Sequence, residues 1–263
     1  MKKPYAIVFS GYGLNCEDET KAALESVGAT ADIIHLNDII AKPSILKKAN
    51  MLVFGGGFAY GDDTGAGKAY GNRVRQHLGD ELETFLQRGT LMIGICNGFQ
   101  ILTSAGMLPG ALIGNDPPEG RAGGSRYLCR WVDLEVTGKS PWLKDMERLS
   151  LPIAHGEGKY YAPQETLAQL KTDNAIALRY TEGEITRHFE LPANPNGSLD
   201  NIAAVSARQG RVLGMMPHPE RAVSFFHLPH WTYLKERHFR DGAQVPAEGP
   251  GLQLFRNAVH YFA

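Results

Sequence analysis

The first half of the chain alternates between short apolar runs and longer stretches in which apolar residues recur with a helical period. The apolar runs predict buried strands at 5–10, 31–35, 51–54 and 91–95. The stretches between and after them predict helices at 17–27, 72–88 and 97–105. This alternation is typical of a parallel sheet with helical crossovers, in which functional groups gather beyond the carboxyl ends of the strands.

The second half has a different pattern, because the first of its predicted strands alternates between polar and apolar residues. These strands lie at 127–136, 150–154, 175–180, 201–207 and 211–216. Gln209-Gly210 predicts a hairpin turn into the last of them. Residues 115–124 are polar and rich in glycine and proline, so they predict a loop.

The two patterns together predict one α/β domain over residues 1–263. Its sheet is mostly parallel and open, with helices on both faces, and the second half contributes antiparallel additions. The region from about 222 to 263 is expected to form an enlarged C-terminal part of loop and helix.

Composition and charge describe an ordinary globular protein. Of the 263 residues, 43% are hydrophobic and 21% charged, and 27 basic against 28 acidic residues leave a net charge of −1. This balance gives no indication of binding to nucleic acid or to an anionic membrane, and we recognise no signal peptide or membrane span. Three distant cysteines do not make a disulfide framework, so we expect a reducing, cytoplasmic setting, with Cys129 in the core.

One cysteine has the spacing of a catalytic nucleophile. Cys96 lies between a predicted strand and a predicted helix, with Gly94 and Gly98 two residues away on either side. This is the nucleophile-elbow pattern with sulfur in place of oxygen, and the glycines let the two backbones approach closely. The adjacent helix N-terminus favours a thiolate. The alternative is an inert cysteine buried in the core.

A candidate base and its orienting carboxylate follow the last predicted strand. His218 lies between two prolines, and Glu220 is two residues further on. In an extended segment the two side chains point the same way, so the carboxylate can hold the imidazole in one tautomer. Cys96, His218 and Glu220 are therefore predicted as nucleophile, base and orienter. The alternative for His218 is a surface histidine in a proline-rich turn.

Two other groups of residues were considered for binding. The glycine run 55–57 ends a predicted strand, so its N–H groups can stabilise an oxyanion, although it can also be a simple flexible turn. The lysine and serine or threonine of a P-loop do not follow it. His227, His230 and His238 lack the spacing of metal ligands, and we predict no metal site and a polar, partly aromatic loop there.

With these motifs on hand, the chain resembles the class I (triad) glutamine amidotransferases. The resemblance is narrower to the glutaminase subunits of phosphoribosylformylglycinamidine synthases in purine biosynthesis. It rests on the segments 56–62, 94–102, 153–158, 194–198 and 215–221. It implies a flavodoxin-like fold and a reaction in which Cys96 attacks the side-chain amide of glutamine, forms a thioester and releases ammonia, with His218 as acid and then base.

The resemblance also implies roles for further residues. Backbone N–H groups of Gly56 or Gly57 and of Asn97 would form the oxyanion hole. The substrate glutamine would be held by Gln100, His155, Gly156 and Glu157. For His155 and Glu157, a purely structural turn is the alternative.

The same resemblance implies that other chains complete the reaction. ATP and magnesium are expected on a large synthetase subunit, with a small accessory subunit beside it and no cofactor in this chain. Four places depart from the family pattern: Gly55 stands where proline is usual, 10–16 is longer than usual, 62–65 replaces a more apolar stretch, and 225–245 is enlarged. The alternatives are another elbow-cysteine hydrolase, such as a γ-glutamyl hydrolase, and a non-catalytic scaffold of the synthetase complex.

Overall fold

A computed structural model describes residues 3–117 and 127–263 of the chain. The predicted loop at 115–124 therefore lies partly outside the described residues. Within them, no helix is both long enough and apolar enough to cross a membrane.

Nine strands form one mixed sheet in the described part of the chain, in the order β2-β1-β3-β4-β11-β10-β9-β6-β7. Their bounds are β1 Tyr5–Ser10, β2 Thr30–His35, β3 Met51–Phe54, β4 Leu91–Ile95, β6 Leu128–Val136, β7 Arg148–His155, β9 Ile176–Thr181, β10 Ile202–Ala207 and β11 Val212–Met215. A small second sheet pairs β5 (Ala111–Ile113) with β8 (Lys159–Tyr161).

The five strands β2, β1, β3, β4 and β11 run parallel. Every residue of β3, β4 and β11 is buried, which is expected of parallel strands covered on both faces. Because β4 lies between β3 and β11, the segments that follow these three strands meet at one edge of the sheet. The predicted glycine run, Cys96 and His218 all come from those segments.

The other half of the sheet is antiparallel, as the alternating pattern predicted. Strand β10 pairs with β9 on one side and with β11 on the other. The turn into β11 contains Arg208, Gln209 and Gly210, all with positive φ, so the predicted hairpin is confirmed.

The helices are α1 Glu17–Ser26, α2 Leu36–Ala41, α3 Lys68–Gln87, α4 Asn97–Ser104, α5 Gln164–Thr172, α6 Glu184–His188, α7 Trp231–Arg240 and α8 Leu252–His260. The α/β fold predicted from the sequence is confirmed. Helix α3 begins four residues before the predicted start at 72. Gly71, which favours a break, is instead the point where α3 and α4 approach, since a Cβ there would lie 2.7 Å from the carbonyl oxygen of Ile101.

Two sequence interpretations were wrong. Part of the region around His227, His230 and His238 is helical, because α7 covers 231–240, with Leu234 buried on its inner face. Cys129 is exposed and does not lie in the core. Only the middle of β6, from Val132 to Leu134, is buried, and Cys129 lies near the uncovered start of that strand.

Candidate active site

Cys96 occupies a sharp turn between β4 and α4. Its backbone has φ 51° and ψ −106°, a conformation that a non-glycine residue rarely adopts. The turn brings α4 so close to β3 that a Cβ at Gly98 would lie 1.8 Å from the carbonyl oxygen of Phe54. The Cys96 side chain is almost buried, and its Sγ lies 3.6 Å from the carbonyl oxygen of Ala154. This geometry is that of a nucleophile elbow.

His218 and Glu220 form a buried pair beside the elbow. The His218 Nδ1 atom lies 2.5 Å from Glu220 Oε1, and both side chains are almost fully buried. A backbone hydrogen bond from the His218 N–H to the Pro152 carbonyl, 2.8 Å long, fixes the segment against β7. Glu220 lies in a short 3₁₀ turn, Pro219–Arg221, so the pair does not form in the extended segment that the spacing suggested.

The charges around His218 favour a protonated imidazole. Burial by itself lowers the pKa of His218, but the carboxylate of Glu220 and the neighbouring thiols of Cys96 and Cys16 raise it well above its usual value. The Nε2 atom of the ring is buried and has no hydrogen-bond partner among the described residues. This nitrogen is thus left for the reacting atoms.

A second thiol, on Cys16, lies on the other side of the same pair. Ligand atoms of Cys16, His218 and Glu220 all fall within 4.8 Å of one another. The Nη2 atom of Arg221 donates to Cys16 Sγ at 2.9 Å, so a cation already occupies the position beside the sulfur. That charge disfavours a metal ion in this cluster. The sequence interpretation missed Cys16 as a site residue, although the end of β1 places it at the same sheet edge as Cys96.

The glycine run after β3 packs tightly against Cys16 and His218. A Cβ at Gly56 would lie 2.7 Å from His218 Cε1, and one at Gly57 would lie 2.5 Å from the Gly13 carbonyl oxygen. The Gly56 carbonyl accepts from the N–H groups of Asn15 and Cys16, at 3.0 and 3.3 Å. Across 3–117 and 127–263, the N–H groups of Gly56 and Gly57 donate no hydrogen bond. They are therefore available to an oxyanion.

Asn97, Gln100 and Glu157 are joined by one chain of hydrogen bonds. Asn97 Oδ1 accepts from the Ala59 N–H at 3.0 Å, and its Nδ2 donates to Gln100 Oε1 at 2.7 Å. Gln100 Nε2 then donates to the Glu157 carbonyl at 2.5 Å, while Glu157 Oε2 accepts from the Ala66 N–H at 3.1 Å. The structure thus brings Gln100 and Glu157 together and ties the loop after β3 to the start of α4.

His155 and Gly156 make contacts that hold the loop after β7. Asn115 Nδ2 lies 3.2 Å from His155 Nδ1 and donates to the His155 carbonyl at 2.9 Å, and the Asn115 N–H donates to the Gly156 carbonyl at 2.9 Å. Burial, helped by the charge of His218, lowers the pKa of His155 to about 3. A neutral, buried His155 favours a structural role in this turn over a role in binding glutamine. Asn115 was not predicted from the sequence.

Two aromatic rings and one acidic residue border the site. Phe58 and Tyr127 stack with ring centroids 6.1 Å apart, and both are about 43% exposed. Burial, and after it the charge of Cys96, raises the pKa of Tyr127. Asp62 lies 3.5 Å from Asn97 Nδ2, and burial together with the charge of Glu157 raises its pKa to about 6.

Comparison with known families agrees with this geometry. Residues 3–262 match the model of the CobB/CobQ-like glutamine amidotransferase domain. The chain belongs to this family and is a glutamine amidotransferase.

Several similar proteins carry a more specific name. The chain is 39% identical over 265 residues to the phosphoribosylformylglycinamidine synthase subunit PurQ of Methanococcus maripaludis, with 98% of this chain and 97% of that protein covered. The PurQ subunit of Dehalococcoides mccartyi is 38% identical, with 99% and 98% covered. A chain in the structure of PurLQS from Thermotoga maritima superposes with a TM-score of 0.71 at 29% identity and full coverage of both chains. The resemblance drawn from the motifs is confirmed.

Proposed function

We propose that this chain is the glutaminase subunit of a phosphoribosylformylglycinamidine synthase, in which Cys96 is the nucleophile. The observation that carries the proposal is the strained elbow of Cys96 beside the buried His218–Glu220 pair. The N–H groups of Gly56 and Gly57, on the loop packed against His218, donate no hydrogen bond within the described residues. The near full-length similarity to PurQ subunits supports the choice of substrate and pathway.

The first chemical step is attack of the Cys96 thiolate on the side-chain carbonyl carbon of glutamine. Transfer of the thiol proton to His218 gives the thiolate and an imidazolium. The imidazolium is stabilised by the same groups that raise the pKa of His218, first among them the Glu220 carboxylate. Glu220 stabilises the imidazolium through its 2.5 Å contact with Nδ1 and keeps Nε2 directed at the reacting atoms.

The oxyanion formed by this attack is stabilised by backbone donors. We assign this role to the N–H groups of Gly56 or Gly57 and to that of Asn97 at the start of α4, where helical N–H groups have no intrahelical partner. One such donor typically contributes about 3–4 kcal/mol to the transition state.

Collapse of the tetrahedral intermediate breaks the carbon–nitrogen bond. His218 gives its proton to the departing ammonia, and a γ-glutamyl thioester remains on Cys96. The neutral imidazole then takes a proton from water, which attacks the thioester, releases glutamate and regenerates Cys96.

The substrate is held on the side of the elbow that faces α4 and the loop after β7. We assign Gln100 and Glu157 to the amino-acid end of glutamine, because their hydrogen-bonded chain begins at Asn97, next to the nucleophile. Gly156 and His155 support that loop from behind, through Asn115.

The ammonia is used elsewhere in the complex. We propose that ATP and magnesium act on a large synthetase subunit, with a small accessory subunit completing the assembly, and that residues 1–263 form one amidotransferase domain. The thiols of Cys16, Cys96 and Cys129 are free, which suits a reducing, cytoplasmic compartment.

Ammonia release from glutamine tests the proposal. The purified chain is assayed with and without its synthetase subunit, next to Cys96→Ala and to Cys129→Ser, an exposed thiol outside the site. We expect stimulation by the synthetase, loss of activity in Cys96→Ala and no change in Cys129→Ser. Equal turnover without the partner would indicate a free-standing hydrolase, and no turnover in either condition would indicate a scaffold.

A further inference from the structure

We propose that Cys16 is a positioning residue, whose sulfur holds the Arg221 guanidinium away from Glu220 so that this carboxylate stays on His218. The inference rests on the proposed function, since it gives Cys16 a task in the same glutaminase reaction. Cys16 touches the catalytic pair but has no part in the mechanism described above.

Arg221 has three possible acceptors around it, the sulfur of Cys16 and the carboxylates of Glu19 and Glu220. Its Nη2 atom lies 2.9 Å from Cys16 Sγ, whereas its Nε atom lies 3.9 Å from Glu220 Oε1. The same Glu220 oxygen lies 2.5 Å from His218 Nδ1. His218 and Arg221 therefore both face the Glu220 carboxylate, whose second oxygen, Oε2, has no hydrogen-bond partner in the described part of the chain. The contact with Cys16 gives the guanidinium another acceptor and keeps it from binding this carboxylate.

The position of Cys16 is fixed by its backbone. Its N–H donates to the Gly56 carbonyl at 3.3 Å, and its own carbonyl accepts from Thr20 Oγ1 at 2.6 Å. The residue is fully buried and immediately precedes α1. Since a Cβ at Gly56 would lie 3.0 Å from Cys16 Sγ, the sulfur also closes the gap between the oxyanion loop and the His218 ring.

Removal of the sulfur has a defined consequence. Without it, the carboxylate oxygens of Glu19 and Glu220 each lie 3.9 Å from the Arg221 Nε atom. The buried Glu220 attracts the guanidinium more strongly, because the partly exposed Glu19 is screened by water. A hydrogen bond from arginine to a carboxylate is strong, so it weakens the contact between Glu220 and His218. The imidazolium then loses support, while Gln100 and Glu157, which we assign to glutamine binding, are not in contact with Cys16.

The test compares Cys16→Ala with Cys16→Ser in the full chain assayed with its synthetase subunit. We expect kcat for ammonia release to fall roughly tenfold in Cys16→Ala, because a weakened contact between Glu220 and His218 removes only part of the acid–base catalysis. The KM for glutamine is expected to change by less than about twofold. Cys16→Ser keeps an acceptor for Arg221 and is expected to retain most of the activity.

The pH profile separates this role from a loss of packing. The groups that face His218 are Glu220 and Arg221 on its own segment, Cys16, Cys96, His155 and Tyr127. Loss of Cys16 weakens the support of the protonated ring, so the fall of kcat/KM at high pH is expected at lower pH in Cys16→Ala than in the wild type. Cys16→Ser is expected to keep the wild-type profile.

A second substitution removes the competitor instead of the acceptor. In the Cys16→Ala background, Arg221→Gln is expected to restore part of kcat, because no guanidinium then competes for Glu220. Circular dichroism and thermal unfolding check each variant, and Cys16→Val, which fills the pocket without an acceptor, replaces Cys16→Ala if the latter does not fold.

The inference is overturned if Cys16→Ala, or Cys16→Val in its place, folds and has the same kcat and pH profile as the wild type. It is equally overturned if Cys16→Ser is as impaired as that variant and Arg221→Gln restores nothing. These outcomes leave the proposed function standing, which fails only if the wild type releases no ammonia or if Cys96→Ala still does.

Discussion

Cys96 and Cys16 lie beside the same imidazole, but their surroundings differ. Cys96 is held at a positive-φ elbow, and its sulfur lies 3.6 Å from the Ala154 carbonyl oxygen. The sulfur of Cys16 accepts from the Arg221 guanidinium at 2.9 Å. Closeness to a histidine therefore does not by itself identify a nucleophile. We propose Cys96 because its elbow presents the thiol beside the N–H groups that we assign to the oxyanion hole.

The largest expected effect is the loss of glutaminase activity in Cys96→Ala. We expect a decrease on the order of 10⁴-fold or more in kcat, because removal of a nucleophile leaves only binding and oxyanion stabilisation. Ammonia release is measured beside Cys16→Ala, which we expect to lose only roughly tenfold. A reversed order of the two variants would make Cys16 the nucleophile.

The next effect tests the elbow itself. Gly98→Ala is expected to lower the free energy of unfolding by about 3 kcal/mol or more, because its Cβ would overlap the Phe54 carbonyl at 1.8 Å. Gly79→Ala in α3 is the matched control, since no atom lies within 4 Å of its Cβ, and it is expected to add about 0.5–1 kcal/mol. Chemical denaturation of both variants gives the two values, and equal stabilities would show that the elbow is not tightly packed.

Glu220→Gln tests the orienter that both thiols share. We expect kcat to fall about 10²-fold or more, because the amide cannot stabilise the imidazolium. The matched variant is Asp200→Asn, which removes a carboxylate outside the site. Asp200 pairs with Lys171 and Arg179, and its loss is expected to leave kcat unchanged. Wild-type activity in Glu220→Gln would contradict the assignment.

The smallest effects concern the dependence of stability on pH. The pKa values of the two buried histidines, His218 and His155, are shifted in opposite directions. The raised pKa of His218 contributes stability that is complete below its ordinary value of about 6.5 and is lost as pH rises through the raised value. The pKa of His155 is lowered to about 3, so its contribution is lost as pH falls from about 6.5 towards that value.

Denaturation curves of His155→Asn and Glu220→Gln measure these contributions. The first variant is expected to lose less stability than the wild type between neutral and acidic pH. The second is expected to lose less above neutral pH. Parallel pH profiles for the wild type and both variants would show that neither histidine is shifted.

Much of the fold follows from local patterns in the sequence. Strands β3 and β4 were predicted to the residue, because short apolar runs between residues of other types leave little choice of where each strand begins and ends. The start of α3 was missed because a glycine inside a helix weakens a local prediction. Gly71 is needed there because α4 packs closely against it, which only the tertiary structure shows.

The site shows the same division. Cys96, His218 and Glu220 were proposed as a triad from their spacing, since an elbow and a close histidine–carboxylate pair are local features. Cys16 and Arg221 could not be found in this way, because 205 residues separate the two atoms that meet at 2.9 Å. Only the order of strands in the sheet brings the end of β1 to the end of β11.

The measurement that most directly tests the central claim is the site of covalent labelling. The chain is incubated with an electrophilic analogue of glutamine, digested, and its peptides are analysed by mass spectrometry. We expect a label on Cys96 in the wild type and in Cys16→Ala, and no label in Cys96→Ala. A label on Cys16 that persists in Cys96→Ala and competes with glutamine would contradict it.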